Sequence, residues 1–524
     1  MTAGVGSAGG EAGSAKDHDG PGHADDASSA NAAVNLTAPS ICWYGDDFTG
    51  ATDTLAEVAR AGLRGLLFLG VPTPEQLRRA GPLDAIGIAG AARAMPPTDM
   101  ETELRSVGRF MAGTGARVLH YKCCSTFDSA PHVGSIGVAI RELRRHMPNR
   151  LVPIVGGQPS IGRYCSFAQL FARAGAAPEV YRIDRHPVMS QHPVTPMHEA
   201  DLRRHLAAQG LEGIRSVPHI AYPRLRGAGD VGASGATGAV GANDVAQLDA
   251  WIDDLINTSD GPVLFDVTGD EQLAVIGRLI WRAAASAPLL AVGPSSVQQA
   301  LARAAAFERD ASVFQRDKAV AGPHAHAAAH GGKMAARDAA TSLLSGVVPL
   351  APASGPVLVM AGSLSPVTAR QISASTRYKH QPLQVQALLA SPAYVAEQIQ
   401  SAVAALAQGH NVLVHTDRPE QAVTSDEAAS TARATAQLAA AIITASAQAG
   451  TRLARVGIAG GDTSSQATLA LGLWGLQFRC VLAPGVTVSV ARSDNPVVDG
   501  VELMLKGGQM GGDDLFDRLV MGVG

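Results

Sequence analysis

Residues 40–62 read SICWYGDDFTGATDTLAEVARAG, and this stretch contains the structural unit that the rest of the chain repeats. A short apolar run, SICWYG, is followed by two carboxylates. The segment after them carries its apolar residues at the spacing of a helix as far as Gly62, and a glycine there is typical of a helix end. The stretch therefore predicts a buried strand, a polar loop and a helix, in that order.

The same alternation of an apolar run and a helical pattern continues through both halves of the chain. In the first half the apolar runs are GLLFLG (65–70), AIGIAG (85–90), RVLHYK (117–122) and LVPIVG (151–156). Further on they are PVLFDV (262–267), PLLAVG (288–293), VLVMAG (357–362), NVLVHT (411–416) and LARVGIAGG (453–461). Apolar strands that alternate with helices predict parallel sheets covered on both faces. We expect an α/β fold with two domains rich in parallel strands, and ligands bound beyond the carboxyl ends of the strands.

Three segments of small residues divide the chain of 524 residues. Residues 1–38 are mainly Gly, Ala, Ser and Asp and predict a disordered tail, because they offer almost nothing large and apolar to bury. RGAGDVGASGATGAVGAN (226–243) predicts a flexible insertion, and residues 311–355 predict a flexible linker. The two expected domains are therefore residues 39–310 and 356–524.

The composition argues against several classes of protein. Lys and Arg number 42, Asp and Glu number 46, and the formal net charge is −4, so no strongly basic surface for nucleic acid is expected. No stretch reaches the roughly 18 uninterrupted apolar residues of a membrane-spanning helix, and the first residues lack the basic start and apolar centre of a signal peptide. The 5 cysteines, odd in number and without paired spacing, predict reduced thiols and a cytoplasmic protein.

Two adjacent carboxylates follow the first apolar run. Asp46 and Asp47 stand at the predicted carboxyl end of the strand, and Thr49 is the predicted N-cap of the next helix. A carboxylate in this position could orient or deprotonate a hydroxyl group of a substrate. The alternative interpretation is an aspartate pair that only caps a helix.

A lysine and several hydroxyl groups follow another strand, in KCCSTFDS (122–129). Lys122 could bind a substrate carboxylate at the strand end, and an ordinary surface lysine is the alternative. Further along, HPVTPM (192–197) places His192 in a loop that two prolines hold extended. That histidine could meet an anion or have a structural role only.

Three glycine-rich turns follow strands in the second half, in GSLSPVT (362–368), GGDTSS (460–465) and LKGGQMG (505–511). Glycine lets the backbone approach a ligand closely, and the N-terminus of a helix attracts phosphate. Asp462 could help to hold Mg²⁺, and Lys506 could neutralise a phosphate. A tight turn is the alternative for each. None matches the patterns GxxxxGK[ST] or GxGxxG, which counts against a nicotinamide-dependent dehydrogenase.

Taken in order, GDDFTGATD, KCCSTFDS, HPVTPM, GSLSPVT, GGDTSS and LKGGQMG resemble the motifs of the four-carbon acid sugar kinase family over about residues 40–520. The resemblance implies an N-terminal domain that binds an acid sugar, a C-terminal domain that binds ATP, and an active site in the cleft between them. It also implies transfer of the γ-phosphoryl group of ATP to a terminal hydroxyl of a small sugar acid, with Mg²⁺ as a cofactor of that transfer.

The motifs also carry over particular roles. Asp47, with Asp46 as the alternative, is expected to orient or deprotonate the attacking hydroxyl. Acid-sugar contacts are expected from Lys122, Ser125, Thr126 and Arg163. Nucleotide contacts are expected from Ser363, Gly460, Gly461, Asp462, Thr463 and Gly508. The metal ligands stay open.

Departures from the family motifs bear on the substrate. The threonate and erythronate kinases read KxDSTLRG where this chain reads KCCSTFDS, so that Cys124 replaces an aspartate. This resembles the branch of the family that acts on 3-oxo acids. The segment IGRYCSFA (161–168) departs from the NGRTVYxG of 3-oxo-tetronate kinases and favours 3-oxo-isoapionate, converted into its 4-phosphate. Phosphorylation of 3-oxo-tetronate is the alternative reaction, a non-catalytic sugar-acid-binding protein is the alternative class, and a homo-oligomer stays open.

Overall fold

The computed structural model describes residues 38–174, 178–192, 194–223, 242–305, 349–363, 365–417, 425–483, 485–508 and 510–523. The predicted tail lies outside the described residues except for its last position. The same holds for nearly all of the predicted insertion and for the predicted linker up to residue 348.

Strands and helices alternate through the first half. Its strands are β1 (Ile41–Gly45), β2 (Gly65–Phe68), β3 (Ala85–Ala89), β4 (Val118–Lys122), β5 (Val152–Val155), β6 (Arg163–Ser166), β7 (Gln169–Arg173), β8 (Val180–Arg182), β9 (Arg215–Val217), β10 (Pro262–Phe265) and β11 (Leu289–Gly293). Its helices are α1 (Phe48–Arg60), α2 (Pro74–Ala80), α3 (Pro97–Gly113), α4 (Ile136–Arg144), α5 (Leu202–Ala207), α6 (Ala242–Thr258), α7 (Asp270–Ser286) and α8 (296–305).

The second half continues the alternation. Its strands are β12 (Val357–Ala361), β13 (Tyr378–Leu383), β14 (Asn411–Thr416), β15 (Arg455–Ala459), β16 (Leu473–Ala483), β17 (Val486–Ser493) and β18 (Glu502–Lys506). Its helices are α9 (Pro366–Ala374), α10 (Val385–Ala390), α11 (Pro392–Ala407), α12 (Ser425–Gln448), α13 (Gly461–Ala470) and α14 (Leu515–Met521).

Every apolar run quoted from the sequence forms a strand, which confirms the α/β prediction. All residues of β1, β4, β11, β12 and β15 are buried, as expected of parallel strands with helices on both faces. The prediction that Thr49 caps α1 is wrong. Helix α1 begins at Phe48, two residues earlier than a cap at Thr49 implies, and its N-cap is Asp47, whose side chain accepts a hydrogen bond of 3.0 Å from the backbone N–H of Gly50.

Fifteen strands form one continuous sheet in the order β13-β14-β12-β15-β18-β17-β16-β2-β3-β1-β4-β11-β5-β10-β9. Its pairs are parallel except β2–β16, β16–β17 and β17–β18. The sequence patterns did not predict these antiparallel strands, because β17 alternates between buried and half-buried residues and shows no continuous apolar run. The pairing of β16 with β2 joins the two parallel halves into one sheet.

Strand register brings particular loops together at the carboxyl ends of the strands. In the first half Gly45 of β1 is paired with Lys122 of β4, and Lys122 is paired with Gly293 of β11. In the second half Ala361 of β12 is paired with Ala459 of β15, which is paired with Lys506 of β18. In each half, neighbouring strands therefore end at the same level, and the loops that follow them lie side by side.

A small antiparallel sheet, in the order β6-β7-β8, lies at the carboxyl ends of β5 and β10. The N–H of Gln158, after β5, donates to the carbonyl of Arg163 at 2.9 Å, and the N–H of Cys165 donates to the carbonyl of Val267 at 2.9 Å. These bonds hold the start of β6 over the same edge of the large sheet as the polar loops. No helix in the described ranges has the length and apolar character needed to cross a membrane.

Candidate active site

Two carboxylates and two cations meet at the ends of β1, β3 and β4. An Nη atom of Arg93 donates to Asp46 at 3.0 Å and to Asp47 at 2.9 Å. Nζ of Lys122 lies 3.7 Å from Oδ1 of Asp47. The side chain of Asp46 is 4% exposed and that of Asp47 is 28% exposed, so Asp47 is the carboxylate that a ligand can reach.

The surroundings push the pKa values of the two carboxylates apart. Burial raises the pKa of Asp46 above its usual value, and the charge of Arg93 offsets only part of that rise. Burial alone would also raise the pKa of Asp47, but the charges of Lys122 and Arg93 outweigh it and lower that pKa. Burial alone would lower the pKa of Lys122, but the charges of the two carboxylates hold that pKa above its ordinary value. Asp47 is therefore ionised at neutral pH and faces the open side of the site.

The loop after β4 is held by buried hydrogen bonds. The hydroxyl of Thr126 donates to Asp128 at 2.5 Å, and the thiol of Cys124 lies 3.0 Å from the same hydroxyl. Phe127 adopts a left-handed φ of 53°, and its carbonyl accepts hydrogen bonds from Ser129 (2.9 Å) and His205 (3.0 Å). Non-glycine residues adopt such a conformation only when their surroundings stabilise it.

The remaining sugar-site candidates differ in their exposure and partners. Ser125 is half-buried in the turn after Cys124. Burial raises the pKa of the Cys124 thiol to about 11, so the thiol is neutral at pH 7. The Nδ1 atom of His192 accepts a hydrogen bond of 3.1 Å from the backbone N–H of Thr195 and lies 3.1 Å from the hydroxyl of the same residue. These contacts favour a structural role for His192.

In the second half, three loops converge at the ends of β12, β15 and β18. The N–H of Gly460 donates to the carbonyl of Lys506 at 3.0 Å, and Gly460 has a φ of 128°, which L side chains rarely adopt. A Cβ atom on Gly508 would come 2.7 Å from Oγ of Ser363, so these two loops approach each other closely. Gly461 begins α13, and a Cβ atom there would meet open space.

A buried lysine lies beneath these loops. Lys506 is 2% exposed, and its Nζ donates to the hydroxyl of Thr368 at 3.0 Å and to the carbonyl of Gly507 at 3.0 Å. Burial lowers its pKa to about 8. Among the described residues no carboxylate forms an ion pair with it. A buried ammonium group beside the N-termini of α9 and α13 is an arrangement that an anion would stabilise.

Comparison with known proteins gives the family. The "Sugar-binding N-terminal domain" matches residues 41–301, and the "Nucleotide-binding C-terminal domain" matches residues 358–516. The 3-oxo-isoapionate kinase of Paraburkholderia graminis is 37% identical over 91% of this chain and 93% of its own length. The chain belongs to the four-carbon acid sugar kinase family.

Two further proteins are similar to this chain along nearly their whole length. The 3-oxo-tetronate kinase of Methylobacterium radiotolerans is 30% identical over 90% of this chain and 96% of its own length. A Haemophilus influenzae protein of known crystal structure is 22% identical, covers 91% of this chain and 98% of its own, and superposes with a TM-score of 0.65. At that identity the superposition shows that the fold is shared.

Within the acid sugar kinase fold, the predicted residues fall into two groups. The sugar-binding domain brings Asp46, Asp47 and Lys122 into direct contact and places Ser125 and Thr126 in the loop after β4. The nucleotide-binding domain brings Ser363, Gly460, Gly461, Asp462, Thr463 and Gly508 to the ends of three adjacent strands. Arg163 starts β6, and its Nη1 donates to backbone carbonyls, at 2.8 Å to that of Ile161 and at 3.2 Å to that of Arg173.

The sequence reasoning missed two residues that complete these groups. Arg93 lies in the 3-10 turn 92–94 that follows β3, the strand beside β1, and the apolar run at 85–90 could have pointed to the loop that carries it. Thr368 lies in the first turn of α9 and accepts the hydrogen bond from Lys506. Only the spatial order of the strands brings these side chains to their partners.

Proposed function

We propose that this member of the family is an ATP-dependent kinase that phosphorylates a terminal hydroxyl of a small 3-oxo sugar acid. The first substrate to test is 3-oxo-isoapionate, which would become 3-oxo-isoapionate 4-phosphate, and the second is 3-oxo-tetronate. The names of the relatives that are 37% and 30% identical support these two choices. The observation that carries the proposal is an ionised, accessible carboxylate, Asp47, in the sugar-binding domain of a chain that also has a nucleotide-binding domain.

Asp47 would act on the attacking hydroxyl. In the proposed transfer the hydroxyl proton moves to a carboxylate oxygen of Asp47, and the hydroxyl oxygen forms a bond to the γ-phosphorus of ATP. The bond between that phosphorus and the β–γ bridging oxygen breaks, and ADP leaves with the electron pair. Lys122 and Arg93 keep Asp47 ionised before the transfer, as the lowered pKa of Asp47 indicates.

The nucleotide would bind where the three glycine-rich loops converge. The open space above Gly461 allows a phosphate to approach the first N–H groups of α13, which have no acceptor inside the helix. Lys506 lies below the loop that carries Gly508, and it forms no ion pair with a carboxylate in the described part of the chain. The absence of a Cβ atom at Gly461 and the positive charge of Lys506 both fit a triphosphate.

Mg²⁺ fits the same place through a single protein carboxylate. No group of three His, Cys, Asp or Glu side chains in the described ranges is arranged to hold a metal ion. Mg²⁺ in phosphotransferases is commonly held by one or two carboxylates together with phosphate oxygens. Asp462, exposed in the first turn of α13, is the carboxylate that we propose for this role. When bound with ATP, the ion neutralises negative charge on the phosphates.

A coupled assay of ADP release tests the proposal. The purified protein is incubated with ATP, MgCl₂ and a panel of four- and five-carbon acids that carry either a 3-oxo or a 3-hydroxy group. We expect ADP release with the 3-oxo acids and a phosphate ester as the second product. Binding of a sugar acid without ADP release would favour the alternative class, a non-catalytic binding protein, and would refute the kinase.

A further inference from the structure

A buried glutamine on α9 holds the far end of the loop after β18. Gln371 is fully buried, and its Nε2 atom donates to the carbonyls of Met510 (3.0 Å), Gly511 (3.1 Å) and Gly512 (3.0 Å). Carbonyl oxygens can only accept, so the donor end of the amide must face them. The amide oxygen of Gln371 is buried and has no hydrogen-bond partner among the described residues. Gln371 therefore acts on this loop through its N–H groups alone.

Two other donors hold the beginning of the same loop. The hydroxyl of Thr368, one turn before Gln371 on α9, donates to the carbonyl of Gly508 at 3.0 Å. The Nζ atom of Lys506 donates at 3.0 Å both to the carbonyl of Gly507 and to the hydroxyl of Thr368. Carbonyls at both ends of the loop thus point inward, toward α9 and the buried ammonium group.

The inward carbonyls determine where the N–H groups of the loop point. In a planar trans peptide, the C=O of one residue and the N–H of the next point in opposite directions. The N–H groups of Gly508, Gly511 and Gly512 therefore point away from α9, and in the described part of the chain none of the three has an acceptor. Gly511 has a φ of 86°, a left-handed conformation that lets neighbouring N–H groups converge on one anion. The loop therefore has the form of an anion-binding nest beside a buried lysine.

Strand order indicates which phosphate would meet this loop. Of the three strands whose ends carry the predicted nucleotide contacts, β18 is the nearest in the sheet to β16, and β16 pairs with β2 of the sugar-binding domain. The loop after β12 touches the loop after β18, because a Cβ atom on Gly508 would come 2.7 Å from Oγ of Ser363. The transferred phosphoryl group has to face the sugar acid. The end of ATP nearest to β18 would therefore be its γ-phosphate.

We propose that the N–H groups of Gly508, Gly511 and Gly512 bind the γ-phosphate of ATP. Gln371 and Thr368 are positioning residues that orient this loop. The inference rests on the proposed kinase function and adds Gly511, Gly512 and two side chains of α9 to the nucleotide site. In this arrangement neither side chain touches the phosphate. Each holds groups of the loop inward, so that the opposite N–H groups are already oriented when the nucleotide binds.

The test is Gln371→Met, which keeps the approximate size of the side chain and removes its donors. Calorimetry with MgCl₂ gives Kd of ATP and Kd of ADP, and the coupled assay gives KM of the active 3-oxo acid. We expect Kd of ATP to rise at least about 10-fold, because charged hydrogen bonds to the γ-phosphate weaken. Kd of ADP and KM of the acid should stay within about threefold. The ratio of the two Kd values is the readout that a general loss of packing would not move.

Gln381→Met is the matched control. Gln381 lies on β13, two strands away from β12 in the sheet, and its Nε2 atom also donates to a carbonyl, that of Gln398, at 2.9 Å. This variant loses the same kind of buried amide contact without touching the loop after β18. We expect it to keep the Kd values of wild type for both nucleotides.

A second pair of variants tests the other positioning residue. Thr368→Val keeps the shape of the side chain but loses the hydroxyl that contacts Lys506 and Gly508, whereas Thr368→Ser keeps that hydroxyl. Kd of ATP should rise about 3- to 10-fold with valine and stay near the wild-type value with serine. The melting temperature of each variant shows whether it is folded.

The outcomes separate the inference from the proposed function. If wild type binds no ATP, or releases no ADP with any acid, the kinase proposal fails. If wild type is active and Gln371→Met changes the ratio of the two Kd values no more than Gln381→Met does, the loop does not bind the γ-phosphate in this way. Should Gln371→Met fail to fold, equal Kd values of ATP for Thr368→Val and Thr368→Ser would overturn the inference.

Discussion

Replacing Asp47 by Asn separates catalysis from helix capping at one position. The amide oxygen of Asn can still accept the hydrogen bond of 3.0 Å from Gly50, and Asn caps helices about as well as Asp. The change removes the negative charge that faces Arg93 at 2.9 Å and Lys122 at 3.7 Å. It also removes the group that we propose accepts the proton of the attacking hydroxyl.

Two magnitudes follow from these contacts. The protein should lose about 1–3 kcal/mol of stability, because Lys122 and Arg93 lose one of the carboxylates that balance their charges. The rate constant kcat should fall by about 10²–10⁴-fold, which is the usual contribution of a general base. The dissociation constant of ATP should change little, since Asp47 lies in the sugar-binding domain.

The assay is steady-state ADP release, with calorimetric titration of ATP and thermal unfolding of each variant. Asp201→Asn is a matched control, because Asp201 also caps a helix, α5, through its side chain (3.0 Å to the N–H of Arg203) and also pairs with an arginine. It should keep the kcat of wild type.

Asp46→Asn tests the neighbouring carboxylate. Because the side chain of Asp46 is buried against Arg93, we expect this variant to lower stability more than it lowers kcat. A kcat for Asp47→Asn within about threefold of that of wild type would refute the role as base.

Three further predictions concern other parts of the site. Gly50→Ala should lower kcat at least about tenfold although alanine favours helices, because the new Cβ atom would meet Nζ of Lys122 at 1.8 Å. Gly461→Val should weaken ATP binding at least about tenfold in calorimetry while the melting temperature stays within a few degrees, since its side chain would fill open space. The affinity for ATP should fall as pH rises through about 8, where Lys506 loses its proton, and Lys506→Met should remove that dependence.

Each of these predictions has a control or a contradicting result. Gly113→Ala, at the end of α3 with nothing within 4 Å of the new Cβ atom, should keep full activity. Gly355→Val, before the amino end of β12 and away from the loops, should bind ATP normally. An ATP affinity for wild type that is constant between pH 7 and pH 9 would contradict the role of Lys506.

The strands and the chemistry at their ends could be predicted from the sequence. An apolar run of four to six residues has few options other than a buried strand, so the runs at 41–45 and 455–459 were found without knowledge of their neighbours. The polar residues that follow them, such as Asp47 and Gly461, stand at the carboxyl ends of strands for the same local reason. These features depend on residues close together in the chain.

The partners of those residues were decided by the tertiary structure. Arg93 reaches Asp46 across 47 positions of sequence because β1 and β3 are neighbours in the sheet. Strand β16 joins the two halves of the sheet through its pairing with β2. Strand order and register arise from packing and hydrogen bonds between distant segments, and no periodicity within a single segment encodes them. The sequence by itself therefore determined which chemical groups stand at the ends of the strands, and the tertiary structure decided which of them meet.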